Sequence, residues 1–206
     1  MDSAVTLVQT YLRLNGYFTV VEYPVVELRG EFRAATDLDV LAFRFPESRR
    51  LVPGEAGHRR RHPPFRVDPV LDVPVDSADM LIGEVKEGEA KFNRGGRRAE
   101  VIGAALARFG CTPPDEADSV SQELLRSGTT STGLGHSVRL VAFGSVADPS
   151  PDAPYRRISL GHALRYVESW MDEHWAVLRH TQLKDPVLSF LATLKKARVD
   201  LEDPGR

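Results

Sequence analysis

The chain has little of what would tie it to a membrane or to an oxidising compartment. Its 206 residues include one cysteine, Cys111, so no internal disulfide can form. No stretch approaches the ~20 consecutive apolar residues that a membrane-spanning helix needs. The opening MDSAVTLVQTYLRLNG has neither a basic leader nor an unbroken apolar run. A cytoplasmic protein with no membrane segment is therefore expected. Nor is there a large excess of either charge: 27 Lys and Arg stand against 29 Asp and Glu, a formal net charge of -2. That balance excludes a molecule cationic over its whole surface and leaves any contact with phosphate to local patches.

What is present is ordinary for a folded globular chain, with 42% hydrophobic and 27% charged residues. The length suits one domain with decorations. Val5, Val8 and Leu12 recur at three- and four-residue spacing, which predicts an amphipathic helix over Ser3 to Asn15, closed by Asn15-Gly16. Tyr17 to Leu28, rich in Val and Tyr, reads as a strand, and Pro24 assigns it to an edge or a bulge. A second strand is expected from about Asp39 to Phe45 and a third from Met80 to Lys86, with an Arg- and Pro-rich insertion at about 46–78 read as loop. A helix follows from about Gly96 to Phe109, with Val101, Ile102, Ala105, Leu106 and Phe109 on one face.

Thr112 to His136 shows little periodicity and reads as a linker or flap, with a short helix at most around Val120 to Arg126. Ser137 to Gly144 returns to strand character. The C-terminal third is helical, and Asp185-Pro186 starts its last helix, for which Val187, Leu188, Leu191 and Leu194 supply the buried face. The expected architecture is α/β: a mixed sheet of four or five strands flanked by helices over residues 1–146, with residues 147–206 as a helical extension packed on that core.

Two short sequences carry chemistry, TDLDVLAF at Thr36 to Phe43 and LIGEVKEG at Leu81 to Gly88. Residues two apart in a strand project to one side, so Glu84 and Lys86 point together while Val85 faces the opposite layer. Asp39 is expected to open the preceding strand, and pairing of the two strands would bring its carboxylate to Glu84. Phosphodiesters repel nucleophiles by their charge. Their hydrolysis near neutral pH benefits from a hard cation and acidified water, and magnesium is commonly held by one or two carboxylates. Glu-X-Lys alone is weak evidence, since an exposed strand face can carry it as a solvated ion pair. Its embedding between Leu81-Ile82 and Val85 marks a buried strand, where charge is costly.

An Asp on one strand, then Glu-X-Lys at the end of a hydrophobic strand after an insertion, then a helix, resembles the PD-(D/E)XK nuclease superfamily of restriction endonucleases and Holliday-junction resolvases. The resemblance covers Val5 to Phe109. It implies a restriction-endonuclease-like fold and a Mg2+- or Mn2+-dependent nuclease acting on DNA. By position, Asp39, Glu84 and the carbonyl of Val85 would hold the metal and Lys86 would assist attack. Many members carry a further glutamate on the first helix; here that helix offers Gln9, so either Glu22 substitutes or this ligand is missing. The alternative is a catalytically inactive nuclease-fold module that binds nucleic acid or a protein. A protein partner or a homodimer through the C-terminal helices is compatible with either.

Between Glu47 and Arg66, six arginines against two glutamates form a basic segment that is either a solvated loop or a grip on phosphate. Lys91, Asn93, Arg94, Arg97 and Arg98 pose the same choice between a polar helix start and phosphate contact. His162 and His174 are expected to pack or to lie on the surface rather than to bind metal. The stretch Gly128 to Gly135 lacks the Lys-Ser or Lys-Thr of a phosphate-binding loop.

Overall fold

The computed structural model describes residues 2–29, 31–46, 48, 66–148 and 153–202. The chain runs through α1 (Ser3–Leu14), β1 (Phe18–Arg29), β2 (Glu31–Arg44), a 3-10 turn (Pro69–Leu71), β3 (Asp79–Glu89) and α2 (Ala99–Arg108). It continues through α3 (Ala117–Ser127), β4 (Thr129–Ser131), β5 (Ser137–Val146), β6 (Arg156–Ser159), α4 (Leu160–Glu173), α5 (Trp175–Leu178) and α6 (Pro186–Glu202).

These elements make an α/β protein on a mixed six-stranded sheet in the order β1-β2-β3-β5-β4, with β6 also paired to β5. The neighbours β1/β2 and β2/β3 are antiparallel, whereas β3/β5 and β5/β6 are parallel. The sheet exceeds the expected four or five strands because β4 and β6, of three and four residues, are too short to display a period in sequence. Pro24 does lie on an edge strand, where a residue without an N–H is tolerated, and the β1/β2 register shifts just after it, between Val25 and Val26.

Helices cover both faces. On one, Val5, Val8, Tyr11 and Leu12 of α1, Val167 and Met171 of α4, and Leu188 and Ala192 of α6 share a core with Val40, Val85 and Phe143 of the sheet. On the other, Val101, Ile102, Ala105 and Leu106 of α2 and Val120 and Leu124 of α3 pack on Leu41, Ile82, Leu140 and Ala142. The C-terminal segment therefore adds a strand as well as helices, and α4 fills the same core as α1.

The capping chemistry follows the sequence at α1. The Asp2 carboxylate accepts the Ala4 N–H at 2.6 Å and the Val5 N–H at 3.4 Å. Thr112 to His136 departs from the linker or flap expectation. It contains α3, closed by Gly128 in the left-handed region at φ 75°, where a Cβ would overlap the Pro154 carbonyl. Tertiary packing orders this weakly periodic stretch: Val120, Ser121 and Leu124 are buried against α2 and the sheet. Two expected core positions lie outside: Phe109 at the end of α2 is 40% exposed, and on α6 Ala192 is buried where Leu194 is 38% exposed.

Of the basic segment, Arg49, Arg50, Arg59, Arg60 and Arg61 lie outside the described residues, while Arg66 is exposed. Its continuation from Arg66 to Leu71 is not an open loop. Leu71 is buried, Tyr11 donates to Asp68 at 2.6 Å, and Tyr166 donates to the Arg66 carbonyl at 3.1 Å. Among the described residues no helix is long and apolar enough to cross a membrane.

Candidate active site

Asp39 does not open its strand. It lies within β2, which begins eight residues earlier at Glu31, because pairing with β1 supplies backbone bonds to a stretch, EFRAATDL, with too few alternating apolar residues to announce a strand. The position is nonetheless distinctive. The β2/β3 ladder runs from Arg44 opposite Asp79 to Val40 opposite Gly83 and stops there, while β3 stays paired with β5 through Lys86 and Gly144 and, after a register shift, at Glu89 and Val146. The sheet opens between Asp39 and Glu84.

On its other side, the β1/β2 pairing skips the Glu22/Asp39 position, where Glu22 takes a left-handed φ of 52°. Strand alternation breaks at the same point. Leu38 packs with the α2 face and Val40 with the α1 face, although residues two apart ordinarily share a side. This break turns the Asp39 side chain along the sheet toward β3, and its Oδ2 accepts the backbone N–H of Val85 at 2.7 Å. A strand residue presents its N–H and C=O to the same edge, so the Val85 carbonyl also faces the gap.

Glu84 is 1% exposed and projects to the α2 face, while Val85 is buried in the core on the α1 face, as strand alternation requires. The Lys86 ammonium forms an ion pair with Glu84 Oε1 and lies 3.9 Å from Asp39 Oδ2, so both carboxylates meet on one cation. Glu84 Oε1 also accepts from the Asn93 amide at 2.7 Å. Its second oxygen, Oε2, is buried with no hydrogen-bond partner among the described residues. Burial pushes the Glu84 carboxyl above the usual range and the charge of Asp39 adds to this, against the pull of Lys86 and Asn93.

Gln9 does not join this group. It sits on the α1 face, where its amide donates to Thr19 at 3.3 Å. Glu22 is exposed, and its Oε1 accepts the Asp2 N–H at 3.4 Å. Among the described residues no group of three or more His, Cys, Asp and Glu is placed to hold a metal. The donor set is two carboxylates and one carbonyl. It suits a hard cation that keeps several waters, and the unpartnered Oε2 is the kind of oxygen such an ion compensates.

The two histidines have other partners. His162 Nε2 lies 2.6 Å from Asp68 Oδ2, and the His174 ring stacks on Trp170 at 4.4 Å. In sequence Asn93 is one of several polar residues near a helix start. Its place beside Glu84 depends on the turn between β3 and α2, for which nine residues of sequence give no geometry. Arg94 and Arg97 are exposed on the same turn region, Lys91 pairs with Glu89 at 3.1 Å, and Arg98 lies 3.8 Å from Glu100.

No protein-family model matches the chain, and comparisons with curated proteins and with solved structures give no match either.

Proposed function

We propose that this protein is a metal-dependent phosphodiesterase of the PD-(D/E)XK type, with a restriction-endonuclease-like fold, that hydrolyses DNA. One observation carries the reading: the Lys86 ammonium bridges the Asp39 and Glu84 carboxylates where β2 and β3 part. An ion pair kept only for stability has no need of a gap in the sheet, and a buried carboxylate with one oxygen unpartnered is costly unless it serves a ligand. The order α1, β1, β2, β3, α2 supports the same reading.

Asp39, Glu84 and the Val85 carbonyl are the ligands for Mg2+ or Mn2+. The ion, when bound, neutralises phosphate charge and acidifies its water. Lys86, 38% exposed, reaches solvent from beside both carboxylates. As an ammonium it would orient the attacking water or stabilise charge developing at phosphorus, and it would help deprotonate that water only after giving up its own proton. Arg94 and Arg97 supply exposed positive charge for the strand backbone. A module that binds nucleic acid or protein without cutting is the second reading, favoured by the engagement of Gln9 and Glu22 elsewhere.

Incubation of plasmid and branched DNA with the protein and Mg2+ or Mn2+ tests the reading. The parent should cleave, and Asp39→Ala, Glu84→Ala and Lys86→Ala should each lose about 100-fold or more while remaining folded. Mobility shift with no cleavage by the parent favours the binding module. Cleavage that survives all three substitutions removes the phosphodiesterase site from this location.

A further inference from the structure

The turn between β3 and α2 lies against the ligand carboxylate. Asn93 uses both ends of its amide: Nδ2 donates to Glu84 Oε1 at 2.7 Å, and Oδ1 accepts the Gly96 N–H at 2.6 Å. The turn is held close on two sides. A Cβ on Gly96 would lie 3.1 Å from Glu84 Oε2, and one on Gly95 would lie 2.9 Å from Thr36 Oγ1 on β2. Neither glycine has a left-handed φ, so a side chain at either position would act through crowding of Thr36 or Glu84 rather than through backbone strain. The turn thus spans from β2 to β3 on the α2 side of the gap, with the unpartnered Oε2 directly beneath Gly96.

We infer that Asn93 is the positioning residue of this site, and that with Gly96 it fixes the rotation of the Glu84 carboxylate for cation binding. The inference rests on the cation site of the phosphodiesterase reading, not on the cleavage it proposes. A carboxylate at the end of a Glu side chain turns freely about its last bond unless its oxygens are held. Here Asn93 and Lys86 both hold Oε1, so the carboxylate plane is set before an ion arrives. Lys86 is free to serve the reaction only if another group keeps that orientation, and Asn93 is the neutral donor that does so. Groups that hold a metal ligand in place typically change metal affinity by about 10- to 100-fold when removed.

The test is Mn2+ binding to the full chain, read by electron paramagnetic resonance of free Mn2+, with folding checked by thermal melts in EDTA. Asn93→Ala should bind Mn2+ about 10- to 100-fold more weakly than the parent while still melting cooperatively. Gly96→Ala, whose new methyl presses on Oε2, should weaken binding in the same direction, and it carries the test if Asn93→Ala does not fold. Parent-like Mn2+ affinity in a folded Asn93→Ala protein, when Glu84→Gln has lost binding, overturns the inference and leaves the phosphodiesterase reading intact. Asn93-dependent Mn2+ binding by a parent that never cuts DNA retires the phosphodiesterase reading and keeps this one. A parent that takes up no Mn2+ overturns both.

Discussion

Glu84 is a carboxylate kept in a place that disfavours its charge. Because burial raises its folded-state pKa above the unfolded value, the folded protein holds the proton to higher pH than the unfolded chain does. The native state therefore loses stability as pH rises between those two values, and above them the ionised group is a burden. Glu84→Gln removes that burden while leaving an oxygen for Asn93. We expect it to stabilise the metal-free protein by about 1 kcal/mol at pH 8, with the advantage fading toward acid pH. Melting curves in EDTA across that range check this; a variant less stable than the parent at pH 8 would mean that the Lys86 pair outweighs the burial. At this scale the placement of Glu84 and Lys86 together, with Val85 opposite, was legible in sequence, since a strand alternates its side chains between two faces. Asn93 was not, because nothing local specifies how a turn folds back on the strand before it.

Among the elements, the register of β3 matters most, since it decides which residues face the gap. A buried clamp sets it. Arg139 on β5 forks onto Asp79 at the start of β3, at 2.8 and 2.6 Å, and reaches the Leu71 carbonyl at 2.6 Å. Tyr17 donates to the same carboxylate at 2.5 Å, and burial pushes its hydroxyl pKa up, which keeps it a donor. Breaking such a pair from one side leaves an uncompensated buried charge. Arg139→Met should cost about 3 to 5 kcal/mol in urea unfolding, and the double variant Arg139→Met with Asp79→Leu should recover much of it. If the double variant is no better than the single, the clamp contributes through packing rather than charge. Strand boundaries were partly readable at this scale: Pro24 pointed to an edge or a bulge and the sheet order makes it an edge, but the long start of β2 and the short β4 and β6 exist because neighbours supply their hydrogen bonds.

Across the whole molecule, Asp68 ties the return of the insertion to both N- and C-terminal helices. Its carboxylate receives Tyr11 of α1 and His162 of α4, each at 2.6 Å, and the Val70 N–H at 3.0 Å. Burial opposes its ionisation, but these hydrogen bonds outweigh it and hold the carboxyl below the usual range. A depressed folded-state pKa gives stability that is full above the unfolded value and is lost as pH falls through the folded one. Asp68→Asn should therefore be about 2 kcal/mol less stable than the parent at pH 7, and the two proteins should converge in acid. Parallel acid-unfolding limbs would show that the charge of Asp68 is not what secures this contact. The sequence by itself determined the α/β class, the amphipathic α1, that β1 carries an edge or a bulge at Pro24, and the pairing of Glu84 with Lys86 on one strand face, because period and proline act locally. Tertiary structure alone decided that the sheet opens at Asp39, that the short helix expected around Val120 to Arg126 extends to Ala117–Ser127, and that Asn93 and Asp68 hold distant segments. Each of those depends on hydrogen bonds and packing between residues far apart in the chain, which no local pattern encodes.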